Sequence, residues 1–592
     1  MKVSFPLLLC ILSFTANSFA TIQIEEVGLQ GYYSTASPTP VQIRISGAQE
    51  GPVHLELKVV DGGKVQYGPL RTDTFSLNVN VKANQDSEVD APIALISNNG
   101  SELQVVATDS AGQNVGSSNL DLSSSAPKIN QDVVVILCRE RAICDEAQTQ
   151  INFSGTPQDV TDKNSNMRFV ATETPRSNWW DYSAAHFVIV AEQTSTWTAE
   201  QRQAIEYYVR SGGSSVLLEK EIADSKLFSG YRPGPAKSLP IAVGRGKVYR
   251  VAALADKTLG SIFVTTRPDP IGYGAQFNPL GWLRNETGAS FTFPRFRWLL
   301  AWLGVYILVV GLGNFLLLQR MKRLEWGWFT ASAIAVGFAF ALYFATTADR
   351  PKKVTLDNVA VYWMDAHSNV AYENIGLRIS SPNRQQINLG VGDSALLMPQ
   401  PNQQIAATAD LAREFTNARR IQPGLNVDLG PPVQTDSSML RWSLKDFNFE
   451  TMRVFPGSVA LADKSHLKNN TGQYFKQALY FDFSTGMRYI IPQLGPGAEI
   501  DINTSSSKAI NYRAEQEISW GPGVNQNFVL DNPGPKPLKN LPHSFMGNGA
   551  RHVFVGLSDN PVPPVSLSVK DVIQNKVALT IVSLDQQDEA QP

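Results

Sequence analysis

Cys138 and Cys144 are the residues here best suited to covalent chemistry. A cysteine attacks only as its thiolate, and nearby cationic side chains favour that form. Cys138 follows the apolar run 133–137 and precedes Arg139, with Arg141 close behind. That puts a candidate thiolate at the carboxyl end of a buried strand, the edge at which open α/β sheets hold ligands. A local disulfide with Cys144, five residues intervening, is a second reading, and two packed thiols a third. Glu219 and Glu221 follow the strand-like run 215–218 and read either as a carboxylate pair at the same edge or as a solvated turn. Trp179, Trp180 and Trp197 flank other elements of this region. They offer a stacking surface for sugar rings or a protein partner, or else they pack beneath a neighbouring domain.

Other chemistry finds little support. Six histidines, His54, His186, His367, His466, His543 and His552, are scattered singly, with no metal-ligand spacing to a second ligand. No His-Glu-x-x-His, Gly-x-Ser-x-Gly or Gly-x-x-x-x-Gly-Lys-Ser/Thr pattern occurs. Gly244-Arg245-Gly246-Lys247 resembles a phosphate loop in composition, but it lies between an apolar stretch and Val248-Tyr249-Arg250-Val251, which predicts a hairpin turn. We expect neither a metal nor a cofactor.

The elements that must position these residues form an α/β pattern. The runs 133–137 and 187–191 are continuously apolar, as in strands buried on both faces. Between 198 and 210 the apolar positions recur at helical spacing, Thr198 and Gln201 make a capping box, and Gly212-Gly213 stops the helix. With 215–218 as the next strand this is a βαβ unit, and residues 129–285 are predicted to form a flavodoxin-like α/β domain. Residues 21–125 alternate with period two, as in 41–45 and 53–59, between turn clusters, which predicts an Ig-like β-sandwich. Residues 351–584 return to strand patterns and predict one or two further β domains, with 585–592 a disordered tail.

Two membrane signals interrupt this exported pattern. Residues 1–20 join Lys2, an apolar run and Ser18-Phe19-Ala20, the plan of a secretory signal peptide. Residues 298–318 and 326–347 are uncharged and long enough to cross a bilayer, separated by a seven-residue turn. Export followed by an even number of spans is expected to leave both large regions in the same exported compartment. Gly304 and Gly311 share a helical face and predict close packing against the second span or a partner's helix. Asn314, polar within the first span, should turn inward to a hydrogen bond unless the interface wets it.

The chain has 592 residues, enough for several domains, and 51 Lys plus Arg balance 53 Asp plus Glu. That balance removes the electrostatic footprint of a nucleic-acid binder.

The segment Asp181-Tyr182-Ser183-Ala184-Ala185-His186-Phe187-Val188-Ile189-Val190, then 198–213 and 215–218, resembles the class I glutamine amidotransferase-like fold. In that fold a tyrosine and a buried strand precede a helix ending Val-x-x-Gly-Gly, here Val209 to Gly213. A working member needs a cysteine on the turn after the next strand and a histidine base. Here 215–218 runs into Glu219-Lys220-Glu221, and His186 is the sole histidine of the domain, so the resemblance implies a degenerate scaffold without catalytic residues. Gly31-Tyr32-Tyr33, Pro40-Val41, Gly313-Asn314-Phe315, Lys322-Arg323-Leu324-Glu325-Trp326, Leu467-Lys468-Asn469-Asn470-Thr471 and Leu494-Gly495-Pro496-Gly497 extend the likeness along the chain. Together they resemble a family of uncharacterised bacterial envelope membrane proteins that join these same parts. The expectation is a non-enzymatic, membrane-anchored scaffold for other envelope proteins; the alternatives are a cell-envelope hydrolase or amidotransferase-like enzyme, and an envelope glycan binder.

Overall fold

The computed structural model describes residues 20–33, 38–47, 50–61, 71–83, 85–95, 101–122, 133–138, 140–142, 144–145, 168–191, 194–218, 227–228, 241–251, 296–348, 352–392, 396–398, 426–430, 433–439, 443–463, 465–509, 552–559 and 565–584. Residues 1–19 of the expected signal peptide and the expected tail at 585–592 lie outside these residues. The protein is multidomain and mostly β, with several sheets and two apolar helices.

The first region holds β1 (Thr21–Val27), β2 (Pro38–Ser46), β3 (Gly51–Asp61), β4 (Arg71–Val81), β5 (Ser87–Ala94), β6 (Ser101–Thr108) and β7 (Asn114–Asp121). Period-two alternation does what it predicts: Val41, Ile43 and Ile45 of β2 and Leu55 and Leu57 of β3 are fully buried in one core. Sheet β1-β2-β5 supplies one side of this core, and strands β4-β3-β6-β7 the other.

The second region holds β8 (Val133–Leu137), β9 (Arg168–Thr172), β10 (Ala185–Val190), the helix Ala199–Arg210, β11 (Ser214–Leu218), β12 (Ile241–Val243) and β13 (Gly246–Val251). Its sheet runs β9-β8-β10-β11-β13-β12, parallel except for β12 at the edge. All five residues of β8 are buried, as its unbroken apolar run requires. The capping box forms as read: Gln201 N–H donates to Thr198 Oγ1 at 3.2 Å, and Thr198 N–H to Gln201 Oε1 at 2.9 Å.

Beyond the apolar helices come β14 (Thr355–Asp365), β15 (Val370–Ser381), β16 (Gln385–Val391), β17 (Leu396–Met398), β18 (Asn426–Asp428), β19 (Val433–Met439), β20 (Ser443–Val454), β21 (Val459–Leu461), β22 (His466–Asn469), β23 (Gln477–Asp482), β24 (Met487–Ile491), β25 (Glu499–Asp501), β26 (Ser506–Ala509), β27 (His552–Ser558), β28 (Ser566–Leu567) and β29 (Ile573–Ser583). A nine-stranded sheet runs β17-β20-β15-β14-β29-β27-β23-β24-β26. Every residue of β14 is buried. Val359, Val361 and Trp363 face the α/β region, while Ala360, Tyr362 and Met364 on the opposite face enter a separate core beside the small sheet β21-β22-β25.

The regions before and after the apolar helices share a sheet and a core. β18 pairs in parallel with β4, Asn426 opposite Thr74 and Asp428 opposite Ser76, so strands from before and after the apolar helices make one eight-stranded sheet. One hydrophobic core contains Leu55, Phe75 and Leu103 together with Leu356, Leu377, Val427 and Phe449. At ~1.5–3 kcal/mol per buried Leu or Phe side chain, separating these regions would expose an apolar face too costly to leave in water.

The first apolar helix runs Phe296–Leu308, passes through one π-helical turn at Val309–Gly313 and continues Asn314–Arg320; the second is Gly327–Ala348. Both are long and apolar enough to cross a membrane. The first helix runs on to Arg320, so the turn is tighter than the expected 319–325. Leu303, Ile307, Leu312, Phe315, Phe329 and Phe344 point outward, an unpaired apolar surface suited to lipid.

Candidate functional site

At the carboxyl end of β8 the choice between thiolate, disulfide and packed thiols resolves as a disulfide: Cys138 and Cys144 are bonded, with Cα atoms 5.5 Å apart. Cys138 is completely buried among Val134, Ile136, Phe187 and Ile189, and its N–H donates to Thr172 O at 3.2 Å. A bonded sulfur has no thiolate, so the nucleophile reading falls. Arg139, Glu219 and Glu221 lie outside the described residues. His186 accepts the N–H of Val133 on Nδ1 at 3.1 Å, at the point where the pairing of β8 and β10 shifts register. It supplies a side-chain acceptor to the backbone there.

The exposed aromatic surface is also overturned. Trp179 and Trp197 are buried and Trp180 is half-buried, all packed on the core shared with the nine-stranded sheet. Trp179 meets Tyr372 of β15 edge to face, ring centroids 6.4 Å apart. The alternative of packing beneath a neighbouring domain is the one that forms.

What these residues build is a polar and aromatic junction between the α/β region and the nine-stranded sheet. Gly244-Arg245-Gly246-Lys247 is the hairpin turn between β12 and β13, not a phosphate loop. It caps the helix Ala199–Arg210: Arg245 N–H donates to Arg210 O at 3.1 Å, and Lys247 N–H to Gly213 O at 3.2 Å. Gly246 approaches so closely that a Cβ would lie 2.0 Å from Val209 O, and a Cβ on Gly213 would strike the Tyr208 ring at 2.3 Å. From this platform Arg245 extends over the Trp363 ring, 5.6 Å from its centroid, and Arg210 pairs with Asp365.

Glu450 and Tyr372 complete the junction beside Arg245. Burial pushes the Glu450 carboxyl up, the Tyr372 hydroxyl beside it and Arg245 opposing, and burial raises the Tyr372 phenol well above its ordinary value. Both are sealed: Tyr372 is fully buried and Glu450 is 8% exposed. A carboxyl, a phenol and a guanidinium form an acid–base set by type, but Glu450 and Tyr372 are enclosed among core residues.

Two other clusters look chemical and are not. Ser465, His466 and Asp463 are neighbours, but both Ser465 Oγ (3.0 Å) and the Asp463 carboxylate (2.8 and 2.9 Å) contact the same imidazole nitrogen, Nδ1. A catalytic triad needs the two ring nitrogens to serve different partners. The motifs at 467–471 and 494–497 meet in one buried knot: Asn469 Nδ2 donates to Gln473 O, Leu494 O and Gly495 O at 2.8, 3.3 and 3.0 Å, while its Oδ1 accepts from Thr471 N and Oγ1 at 3.0 and 2.7 Å. Sequence reading found these residues through resemblance alone; their task is to join two loops. Among the described residues no group of three or more His, Cys, Asp or Glu side chains is placed to hold a metal ion.

In the apolar hairpin Asn314 turns inward, 6% exposed, and its Nδ2 donates to Gly327 O at 3.3 Å. Gly304 and Gly311 do not pack on the second helix: a Cβ at either would meet nothing within 4 Å.

No protein-family model matches the sequence. No curated protein matches it either. Solved structures give faint likenesses. A calcium-binding mutant of Bacteroides uniformis β-glucuronidase 2 shares 9% identity over 33% of this chain and 27% of its own, at a TM-score of 0.12. A Paenibacillus cycloisomaltooligosaccharide glucanotransferase shares 8% over 73% and 70%, at 0.16, and a Bacteroides cellulosilyticus glycosyl hydrolase family 2 member shares 9% over 95% and 79%, at 0.14. The chain spans about a quarter of the first of these, and at such TM-scores none indicates a common fold.

Proposed function

We propose that this chain is a non-enzymatic, inner-membrane-anchored protein of the bacterial envelope, whose regions before and after the apolar hairpin form one exported scaffold for other envelope proteins. The observation that carries this reading is the shared sheet and core: β18 completes a sheet begun by β4, and residues from both regions fill one interior. A body interlocked in this way holds both ends of the apolar helix pair together, which supports both regions lying on the same side of the membrane.

The chemistry-bearing residues support the same reading, because they are consumed in structure. Cys138 is bonded to Cys144, Arg210 to Asp365, and Arg245 lies against Trp363. The order β9-β8-β10-β11, which numbers 2-1-3-4 within the α/β region, supports a flavodoxin-like, degenerate amidotransferase-like domain. The three- and four-stranded faces of the first region support an Ig-like sandwich.

Isolation of the full chain from its native membrane in mild detergent, with quantitation of what accompanies it, tests the proposal. Envelope proteins present in fixed proportion to the chain support a scaffold. A chain that isolates alone and turns over an envelope substrate overturns it.

A further inference from the structure

Part of the polar face of sheet β1-β2-β5 meets the α/β region. Pairing sets Glu26 opposite Gln42, and Gln42 opposite Asp90, so these three make a row across the sheet. Residues 176–183 reach over the Glu26 end of that row, while Asp90 at the other end keeps solvent exposure. Arg176 Nη2 donates to Glu26 Oε2 at 2.7 Å, and the Gln30 N–H holds the other oxygen of Glu26. Gln30 Nε2 donates to Ala171 O at 2.8 Å, and the Ser183 hydroxyl donates to Pro38 O.

Asp181 sits in the same seam, 3% exposed, with neither carboxylate oxygen in a well-formed hydrogen bond, although the Asn178 amide and backbone lie close enough to ease its ionisation in part. A buried carboxylate without a well-formed hydrogen bond is expensive to ionise. Its neighbours make it more so, because Asp90 faces it and Arg176, the opposing cation, is already paired with Glu26. We propose that this seam is a proton-operated latch: protonated Asp181 lets the first β region seat on the α/β region, and ionised Asp181 loosens that seat.

The remaining charges around the seam are engaged elsewhere. On β2, Arg44 pairs with Glu25 at 2.8 Å and Glu88 at 3.4 Å. Tyr182 accepts the Arg176 N–H at 2.7 Å. On the helix Ala199–Arg210, Glu200 is exposed, Arg202 donates to Trp197 O, Glu206 accepts the Phe228 N–H, and Arg210 pairs with Asp365. Burial first, then Asp90, push Asp181 up to about 7, with Arg176 and then Asn178 opposing. Because the seated value lies above an ordinary aspartate, the unseated segment gives up its proton first as pH rises. The seat is firmest in acid, weakens above about 4 and is weakest above about 7.

Hydrogen exchange of the full chain in detergent, corrected for intrinsic rates, reads the latch directly in peptides covering 176–183 and 87–94. Wild type should lose protection by at least about tenfold, the factor of one pKa unit, between pH 5.5 and 8. Asp181→Asn, a mimic of the protonated acid, should stay protected throughout. Asp90→Asn removes the facing charge and should move the midpoint to lower pH. The proposal is overturned if Asp181→Asn loses protection as wild type does, or if Asp90→Asn leaves the midpoint in place.

Discussion

Arg210 and Asp365 form an ion pair with side chains only 4% and 2% exposed, although 155 residues and the whole apolar hairpin separate them in sequence. Arg210 ends the helix of the α/β region, and Asp365 ends β14, an interior strand of the nine-stranded sheet. Asp365 also accepts the His367 N–H at 3.1 Å, and its carbonyl accepts the Ser458 hydroxyl at 2.8 Å. Burying two charges costs about as much as their attraction returns, so the pair fixes how the regions dock more than how tightly.

Removing one partner strands the other charge in the core. Asp365→Asn or Arg210→Met alone should destabilise the protein by about 3–5 kcal/mol, and the double change to apolar residues should recover much of that. Denaturant unfolding of the three variants checks this; equal losses in single and double variants would contradict it.

Cys138→Ser should cost about 2–3 kcal/mol, the value expected for opening so short a disulfide loop, and should leave the cellular role intact wherever the protein still folds. Complementation at a permissive temperature distinguishes this from catalysis. A folded, inserted Cys138→Ser protein with no function would restore a chemical role to the sulfur.

Burial pushes the Glu373 carboxyl up to about 7 against the lowering influence of Arg453, 3.1 Å away. The folded value is raised, so stability is greatest below the unfolded value near 4.5 and declines as pH rises to about 7, by a few kcal/mol in all. Glu373→Gln should flatten the dependence of unfolding free energy on pH in this window. A slope unchanged by the substitution would show that Glu373 is already ionised in the fold.

In the hairpin, Asn314→Leu removes the bond to Gly327 and should weaken helix pairing in detergent by about 1 kcal/mol. Gly304→Leu and Gly311→Leu should leave pairing unchanged, because both glycines face open space. A loss of pairing in either glycine variant would place that face against the second helix after all.

What the sequence made legible was local. Thr198 and Gln201 announce the helix start, Gly212-Gly213 its stop, and Gly244 to Lys247 the hairpin, because each depends on neighbours within a few residues. The alternation at Val41, Ile43 and Ile45 marked an inward face for the same reason. The long-range arrangement was not legible. β18 has only three residues, too few to carry a periodic signal, yet it joins two regions through Thr74 to Ser76. Trp179 looked available because its partner, Tyr372, lies almost two hundred residues further on. Arg245, which sequence reading took only as part of a turn, gained its role from Trp363, and no local pattern points to that pairing.

The regions flanking the apolar helices form one body through a shared sheet and core. Insertion of a protease site between Lys322 and Arg323, in the short turn joining the two helices, tests it most directly. After complete cleavage of the purified chain, the fragments before and after the cut should co-elute in detergent and melt in one transition, held by the shared sheet and by Arg210 with Asp365. Fragments that separate and melt independently would contradict the account.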